Sequence, residues 1–430
     1  MELLFDFFSF QDMNVVFVTL GSVLLTACAA IVGTFTFLRK KALVGDAVAH
    51  AVFPGICLAF ILSGTKNPLY LISGAFITGW LSLVLIDQIN AKSKIKEDSA
   101  IALILSVFFG VGILLLTVIQ KSGNAQQTGL DHFLFGSAAS LIGQDLLVFT
   151  IVGALLLIIV FAFFKELTLL AFDEDFAKTI GLPVRAIELV LTTLTVLAVV
   201  IGIQAVGVVL MAAMLITPAA AARFWTDKIK VLLLLSAIFG AFSGLSGAFI
   251  SYAAPSMPTG PWIVVVISTI AFISFFLAPS KGIFSRLVRQ NRVVKHINDE
   301  NILKSLYQLG ELDGEFYKPR TIVEIINRRP FQTSVLSKGL KRLKRQGFMT
   351  QSHKGWLFTA AGKHKGQRTV KLHRLWETYL TKYLRIAPDH VHDDAETIEH
   401  FLTPELEARL EKLLEYPEVD PHSSQIPYRK

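Results

Sequence analysis

Long apolar stretches separated by short polar segments dominate the first 280 residues of the chain, at 15–37, 42–63, 68–89, 100–119, 145–164, 187–204, 206–222, 230–252 and 261–278. Each approaches the roughly 17–25 residues with which a helix crosses a hydrocarbon layer about 30 Å thick, and none alternates like a barrel strand. The pattern predicts an all-α polytopic membrane region of about nine transmembrane helices. Beyond residue 280 the pattern becomes that of a soluble helical domain. DENILKSLYQLGEL at 299–312 predicts an amphipathic helix. TIVEIINRRPFQTSVLSKGLKRLKRQGF at 321–348 predicts helix, turn and basic helix, with Thr333 or Ser334 as N-cap and Gly347 as stop. FMTQSHKGWLFTAAGKHKG predicts a short hairpin turning at Lys354-Gly355, which completes a winged helix-turn-helix.

Composition agrees, with 53% hydrophobic and only 17% charged residues. The formal charge is +8, and about two-thirds of the 41 Lys and Arg follow residue 280. Basic clusters follow alternate apolar stretches: Arg39-Lys40-Lys41, Lys92 to Lys96, Lys165 with Lys178, Arg223 to Lys230, and Lys281 to Arg289. All five share one side if the N-terminus is outside, which predicts a cytoplasmic C-terminal region. MELLFDFFSF lacks a positive n-region and reads as an interfacial lead-in, not a cleaved signal. Cys28 and Cys57 lie in apolar stretches and imply no disulfide framework.

Two ionisable residues interrupt the second apolar stretch, Asp46 and His50. Four residues apart on a helix, they present a carboxylate oxygen and an imidazole nitrogen to one side, a pair suited to Mn2+, Zn2+ or Fe2+. The lack of thiolate or Met clusters disfavours Cu(I). Pro54-Gly55 is expected to kink the helix and free carbonyls toward a cavity. Two plainer readings stay open: Asp46 as an interfacial carboxylate near Lys41, and the pair as a structural hydrogen bond. The segment KELTLLAFDEDFAKTIGLP at 165–183 is amphipathic and acidic and ends on Gly181 and Pro183. It reads as a solvated connector or as a docking helix that receives force from a cytoplasmic partner. The chain has no G-x-x-x-x-G-K-[ST] loop, so ATP-driven work would need another polypeptide.

In the C-terminal third, Lys338, Lys341, Arg342, Lys344 and Arg345 give the basic helix a density suited to phosphate contacts with DNA. Anionic lipid or plain solvation accounts for such a face equally, and tethering to a membrane disfavours a chromosome search. His373 and Glu377 are four apart, as are His392 and Glu396, and Glu396 and His400, with Glu399 alongside. Six such groups in two short helices fit one or two divalent-metal sites, although a salt-bridged polar face is the plainer reading.

VGDAVAHAVFPGI at 44–56 resembles the GDA-x-x-H-A-x-x-PG segment of ABC-3 type metal permeases, the membrane subunits of ATP-driven manganese, zinc and iron importers. The resemblance continues through FLFGS at 133–137, FDEDFAKTIGL at 172–182, VGVVLMAAMLITPAAAARF at 206–224 and SYAAPSMPTGP at 251–261, covering residues 10–280. It implies that Asp46 and His50 form the metal site of the pathway. It also implies that Phe172, Asp173, Glu174, Asp175, Phe176 and Gly181 belong to an ATPase-coupling loop. The partners implied are a cytoplasmic ABC ATPase subunit, an external metal-binding protein and a second copy of the permease.

HRLWE…VHDDAETIEHFLTPELEARLEKLL…DPHSSQIP is similar to the metal-binding and dimerisation domain of the diphtheria-toxin-repressor family, and the preceding winged helix matches the same family, together over about 298–427. This resemblance implies His373, Glu377, His392, Glu396, Glu399 and His400 as ligands. Glu396 stands where the iron branch has Cys and the manganese branch Glu, which favours manganese. Asn301 and Lys304 depart from the Asp and Glu of the manganese branch, which weakens the link from metal site to DNA-binding head.

The expected map is a permease domain at 1–280, a linker at 281–297, a winged helix-turn-helix at 298–370 and a metal-binding and dimerisation region at 371–430. The expected protein is a multi-pass subunit of a prokaryotic plasma-membrane importer with no enzymatic activity of its own, fused to a cytoplasmic metal sensor. The alternatives are a membrane-tethered metal-responsive transcriptional regulator, an ATP-independent metal carrier, and a C-terminal region that serves only as a dimerisation clamp.

Overall fold

The computed structural model describes residues 2–65, 67–121, 136, 141–254, 257–387 and 402–428. The chain divides into two compact units, Met1–Arg286 and Leu287–Lys430.

In the first unit, a short helix α1 (Glu2–Ser9) precedes α2 (Met13–Leu38), α3 (Ala42–Ser63), α4 (Pro68–Lys92) and α5 (Glu97–Lys121). After the residues not described come α6 (Gly143–Ala162), α7 (Phe164–Phe172), α8 (Glu174–Thr179), α9 (Val184–Val206), α10 (Val208–Arg223), α11 (Ile229–Ala253) and α12 (Thr259–Leu277). Local chemistry sets several boundaries. The Asp12 carboxylate accepts from the Asn14 N–H at 2.8 Å to start α2, and Asn67 with Pro68 starts α4. Gly64, at φ 66°, ends α3 in the left-handed conformation that glycine adopts without steric cost.

Among the described residues eight helices are long and apolar enough to cross a membrane: α2 to α6, α9, α11 and α12. The stretch expected at 206–222 is the shorter α10, of 16 residues, about 24 Å long against a layer of about 30 Å. Gly207, at φ 88°, is the single residue between α9 and α10 and breaks one helix from the other.

The bundle is organised around α3. In its apolar window 67% of residues are buried, against 22% in α5, α6 and α12, whose exposed Leu114, Phe161 and Phe272 form an apolar outer surface suited to lipid. Helices α4, α5, α10 and α9 pack on α3, while α2 lies against α11, α10 and α9. Between membrane helices water expulsion gives no net drive, so contact comes from backbone approach at small residues. A Cβ on Gly33 would lie 1.7 Å from the Leu215 carbonyl oxygen, and one on Gly55 would lie 2.2 Å from that of Gly74. Gly240 and Gly244 let α11 meet α2, and the Thr26 hydroxyl donates across this contact to the Gly240 carbonyl at 2.8 Å.

The second unit is described with α13 (Ile283–Asp313), α14 (Ile322–Arg328), α15 (Thr333–Arg345), strands β1 (Met349–Ser352) and β2 (Gly355–Phe358), α16 (Ala360–Leu384) and α17 (Pro404–Leu413). The strands pair antiparallel with Ser352 opposite Gly355, so the turn is His353-Lys354, one residue earlier than expected. The N-cap of α15 is Gln332 instead of Thr333 or Ser334, and it makes no side-chain cap; Gly347, at φ 78°, follows the helix as expected. Most of the expected linker at 281–297 is helical, because no Gly or Pro interrupts residues 283–309. The boundary expected at 370–371 falls inside α16. Ile302, Leu306, Ile325, Leu336, Leu340 and Phe358 belong to one apolar core, where the wing and the helix-turn-helix meet.

Gly33→Ala is expected to destabilise the detergent-solubilised protein by about 1–3 kcal/mol through overpacking against Leu215. Gly110→Ala, where a Cβ would meet nothing within 4 Å, is expected to stay within about 0.5 kcal/mol of the parent. Thermal unfolding followed by size-exclusion chromatography checks the contrast.

Candidate metal site

Helix α3 brings Asp46 and His50 together on one face: His50 Nε2 lies 3.5 Å from Asp46 Oδ1, with side chains 15% and 35% exposed respectively. Two ligand atoms each about 2.1 Å from a metal stand about 3.0–3.4 Å apart at octahedral to tetrahedral angles, so the gap nearly fits one ion. The imidazole packs edge-on against Phe109, with ring centroids 4.8 Å apart, and its buried Nδ1 has no hydrogen-bond partner. Pro54 lies within α3 and has no N–H to give to the carbonyl four residues back, which is that of His50 itself. A carboxylate, an imidazole and a released carbonyl therefore belong to one turn of helix. Among the described residues no third His, Cys, Asp or Glu joins them.

The acidic segment at 165–183 forms α7, α8 and a turn at Gly181, where φ is 81°. Asp173 caps α8, its Oδ1 accepting from the Phe176 N–H at 2.8 Å. Phe172 and Phe176 are exposed, and the Asp175 side chain is 97% exposed. Glu174 is held below the ordinary carboxylate range, chiefly by its hydrogen bond from Lys178 at 2.8 Å. It also pairs with Arg39 at 3.1 Å.

In the second unit, His373 and Glu377 are buried on α16 with Nε2 and Oε1 3.1 Å apart. His422 Nε2 approaches the same Oε1 at 4.0 Å. Among the described residues these three do not form a group placed to share one metal, and His373 with Glu377 is the close pair. His422 went unnoticed in the sequence because no helical spacing links it to Glu377; only the return of the C-terminal segment onto α16 joins them. His392, Glu396, Glu399 and His400 lie outside the described residues. Asn301 and Lys304 are both buried on α13.

The basic helix is α15. Lys338, Lys341, Lys344 and Arg345 are exposed on it. Arg342 is instead committed inward, donating from Nε and Nη2 to the Asp299 carboxylate at 2.6 and 2.5 Å. The i,i+3/i,i+4 pattern showed its charge but not this partner on another helix.

Helix α17 is clamped onto α16. Lys371 meets Glu407 at 2.5 Å and Glu411 at 2.6 Å, and Arg368 meets Glu407 at 2.8 Å. Burial works against the Glu407 charge, but the hydrogen bonds from Lys371 and Arg368 outweigh it and hold its carboxyl below the ordinary value of 4.5.

These features define a multi-pass membrane permease with an appended repressor-like metal-binding domain. The chain belongs to the ABC 3 transport family, whose model matches residues 11–278, and residues 359–428 match "Iron dependent repressor, metal binding and dimerisation domain". A manganese transport system membrane protein from Bacillus subtilis is 40% identical over 378 residues, covering 88% of this chain and 86% of its own. A zinc transport system membrane protein from Treponema pallidum is 43% identical over 284 residues, 66% of this chain and 95% of its own. Among solved structures, PsaBC from Streptococcus pneumoniae in complex with Fab matches with a TM-score of 0.60 and 34% identity, over 67% of this chain and 99% of that chain.

A carboxylate whose folded pKa is depressed gives stability that is complete above its unfolded value and lost as pH falls through the folded one. The α16–α17 clamp is therefore expected to hold above about pH 4.5 and to loosen in more acidic solution. Glu407→Gln is expected to destabilise α17 by about 1–3 kcal/mol at neutral pH and to blunt its acid sensitivity. Hydrogen exchange of residues 404–413 across a pH series reads both.

Proposed function

We propose that this chain is the membrane subunit of an ATP-driven importer of divalent transition metal, with Mn2+ as the favoured cargo and Zn2+ or Fe2+ as competitors. The observation that carries the reading is the Asp46–His50 pair, an ionisable pair in the most buried of the long apolar helices, with a gap near that of two ligands on one metal. Among the described residues two side chains and a released carbonyl hold the ion, and water or further groups complete its shell. Such loose binding lets cargo enter and leave. The names of relatives that move manganese and zinc support both the class and the choice of ions.

On this reading the N-terminus is outside and the ends of α2, α4 and α7 face the cytoplasm, where their basic residues belong. A separate ATPase docks on α7 and α8, for which exposed Phe172 and Phe176 offer apolar contacts beside Asp173, Glu174 and Asp175, with Gly181 ending the segment. An external metal-binding protein delivers the ion, and two copies of the permease assemble. ATP is hydrolysed by the partner, and this chain supplies the path.

The C-terminal unit, on the cytoplasmic side, senses the imported metal through His373, Glu377, His392, Glu396, Glu399 and His400, with His422 as a further donor, and restrains transport when occupied. Feedback of this kind needs the occupied domain to favour one transporter conformation over another. The commitment of Arg342 to Asp299 removes one cation from the face that would meet DNA. Lys338, Lys341, Lys344 and Arg345 are then left to solvent or anionic lipid, and a transcriptional role is disfavoured.

Asp46→Ala and His50→Ala are each expected to lower Mn2+ uptake about tenfold or more at unchanged protein level. Uptake by cells expressing the whole transporter, in competition with Zn2+ and Fe2+, checks this; unchanged uptake in both variants sinks the pathway assignment. In vesicles, Mn2+ raised on the cytosolic side is expected to slow uptake by the parent and to slow His373→Ala less. Equal rates with and without cytosolic-side Mn2+ would remove the feedback.

A further inference from the structure

The turn joining α2 to α3 lies just before Asp46 and enters the reading above only through its positive charge. It carries Arg39, Lys40 and Lys41. The Arg39 side chain is only 7% exposed and forks between two carboxylates: Nη2 donates to Glu174 Oε2 at 3.1 Å, and Nη1 donates to Glu188 Oε1 at 2.9 Å. Lys41 donates to the same Glu188 oxygen at 2.9 Å. The carboxylates sit on different helices, Glu174 at the start of α8 and Glu188 in α9 near its start. One buried guanidinium thus joins the α2–α3 turn to both the acidic segment and the α9 helix. Between the two anchored residues, Lys40 is held at φ 61°, a left-handed conformation that disfavours a non-glycine residue and persists where its surroundings over-determine it.

The clasp also has somewhere to go. A cavity of about 40 Å3 adjoins it, lined by Thr36, Arg39, Asp87, Glu97, Glu188 and Thr195 among others. That is room for roughly two or three waters. Asp87 and Glu97 have no ion pair among the described contacts and line the same space as Arg39 and Lys41. A guanidinium with one set of carboxylates engaged and a second set lining the same small cavity has two sets of partners within one space. Moving between them changes only which carboxylates it holds. Helix α3 starts at Ala42, three residues after Arg39, and is continuous through Asp46 and His50. A shift of the turn is therefore a shift of the pair.

We propose that Arg39 is a positioning residue, the link through which movement of α8 is passed to α3 and so to Asp46 and His50. When α8 is drawn away, Arg39 exchanges Glu174 for the carboxylates of the cavity, and the start of α3 follows. The proposal rests on the transport reading above and adds to it the route by which ATPase work reaches the metal.

The test uses the whole transporter, permease with its ATPase and metal-binding protein, reconstituted in vesicles with Mn2+ as the probe. ATP hydrolysed and Mn2+ moved are measured together. Arg39→Met removes both ion pairs and keeps the stem. It is expected to retain ATP hydrolysis within about twofold, to move about fivefold or more less Mn2+ per ATP, and to leave half-saturation by Mn2+ nearly unchanged. Glu174→Gln, at a side chain 40% exposed in the docking segment, weakens the pairs with both Arg39 and Lys178 and is expected to lower the same ratio less severely. Arg39→Lys keeps the charge but not the fork and is expected to restore part of the ratio. A parental Mn2+ per ATP in Arg39→Met and Glu174→Gln overturns the proposal. So does loss of hydrolysis and transport together in Arg39→Met with a parental ratio in Glu174→Gln, since Arg39 would then serve only the fold. Normal uptake by Asp46→Ala in the same vesicles would be a failure of the transport reading itself; an inactive Asp46→Ala beside a parental ratio in Arg39→Met is a failure of the link alone.

Discussion

Close backbone contact around α3 is the constraint on which the rest of the membrane unit depends. Side chains in an apolar bundle gain little by leaving lipid for one another, so helices hold together where small residues let main chains touch. Gly33 under the Leu215 carbonyl and Gly55 against Gly74 are such places. They fix α2 against α10 and α3 against α4. The hydroxyls buried in these contacts are largely satisfied within their own helices, as Thr34 is by the Ala30 carbonyl at 2.7 Å and Ser236 by that of Leu232 at 2.8 Å. Polar groups that need partners elsewhere are thereby kept few, and the Asp46–His50 pair stands out among them.

Electrostatics then sorts the remaining charge. Carboxylates and cations gather at the end of the unit where α2 stops and α3 begins, paired as Arg39 with Glu174 and Glu188, and Lys41 with Glu188. Further along α3, the imidazole is sheltered by Phe109 while the carboxylate keeps more exposure. The same helix thus joins a charged, ion-paired end to the Asp46–His50 pair. The second unit follows another rule. There Asp299 takes Arg342 and joins α13 to α15, while Glu407 takes Lys371 and Arg368 and holds α17 on α16, the helix that carries His373 and Glu377.

Much of this was legible in the residues alone. The apolar runs marked the membrane helices, because spanning length and backbone satisfaction in lipid are local properties of a segment. The spacing of Asp46 and His50 marked a shared face for the same reason: four residues on a helix need no tertiary information. His373 and Glu377 were found in the same way, as was the wing after α15. What required the folded chain was every relation between distant segments. His422 meets Glu377 only because the C-terminal segment returns to α16, Arg342 turns inward only because Asp299 lies on a neighbouring helix, and the brevity of α10 follows from the backbone break at Gly207. Arg39 read as one member of a basic cluster that set orientation. The bundle buried it and gave it two carboxylates 135 and 149 residues away along the chain, since helix packing decides which charged ends share a low-dielectric space.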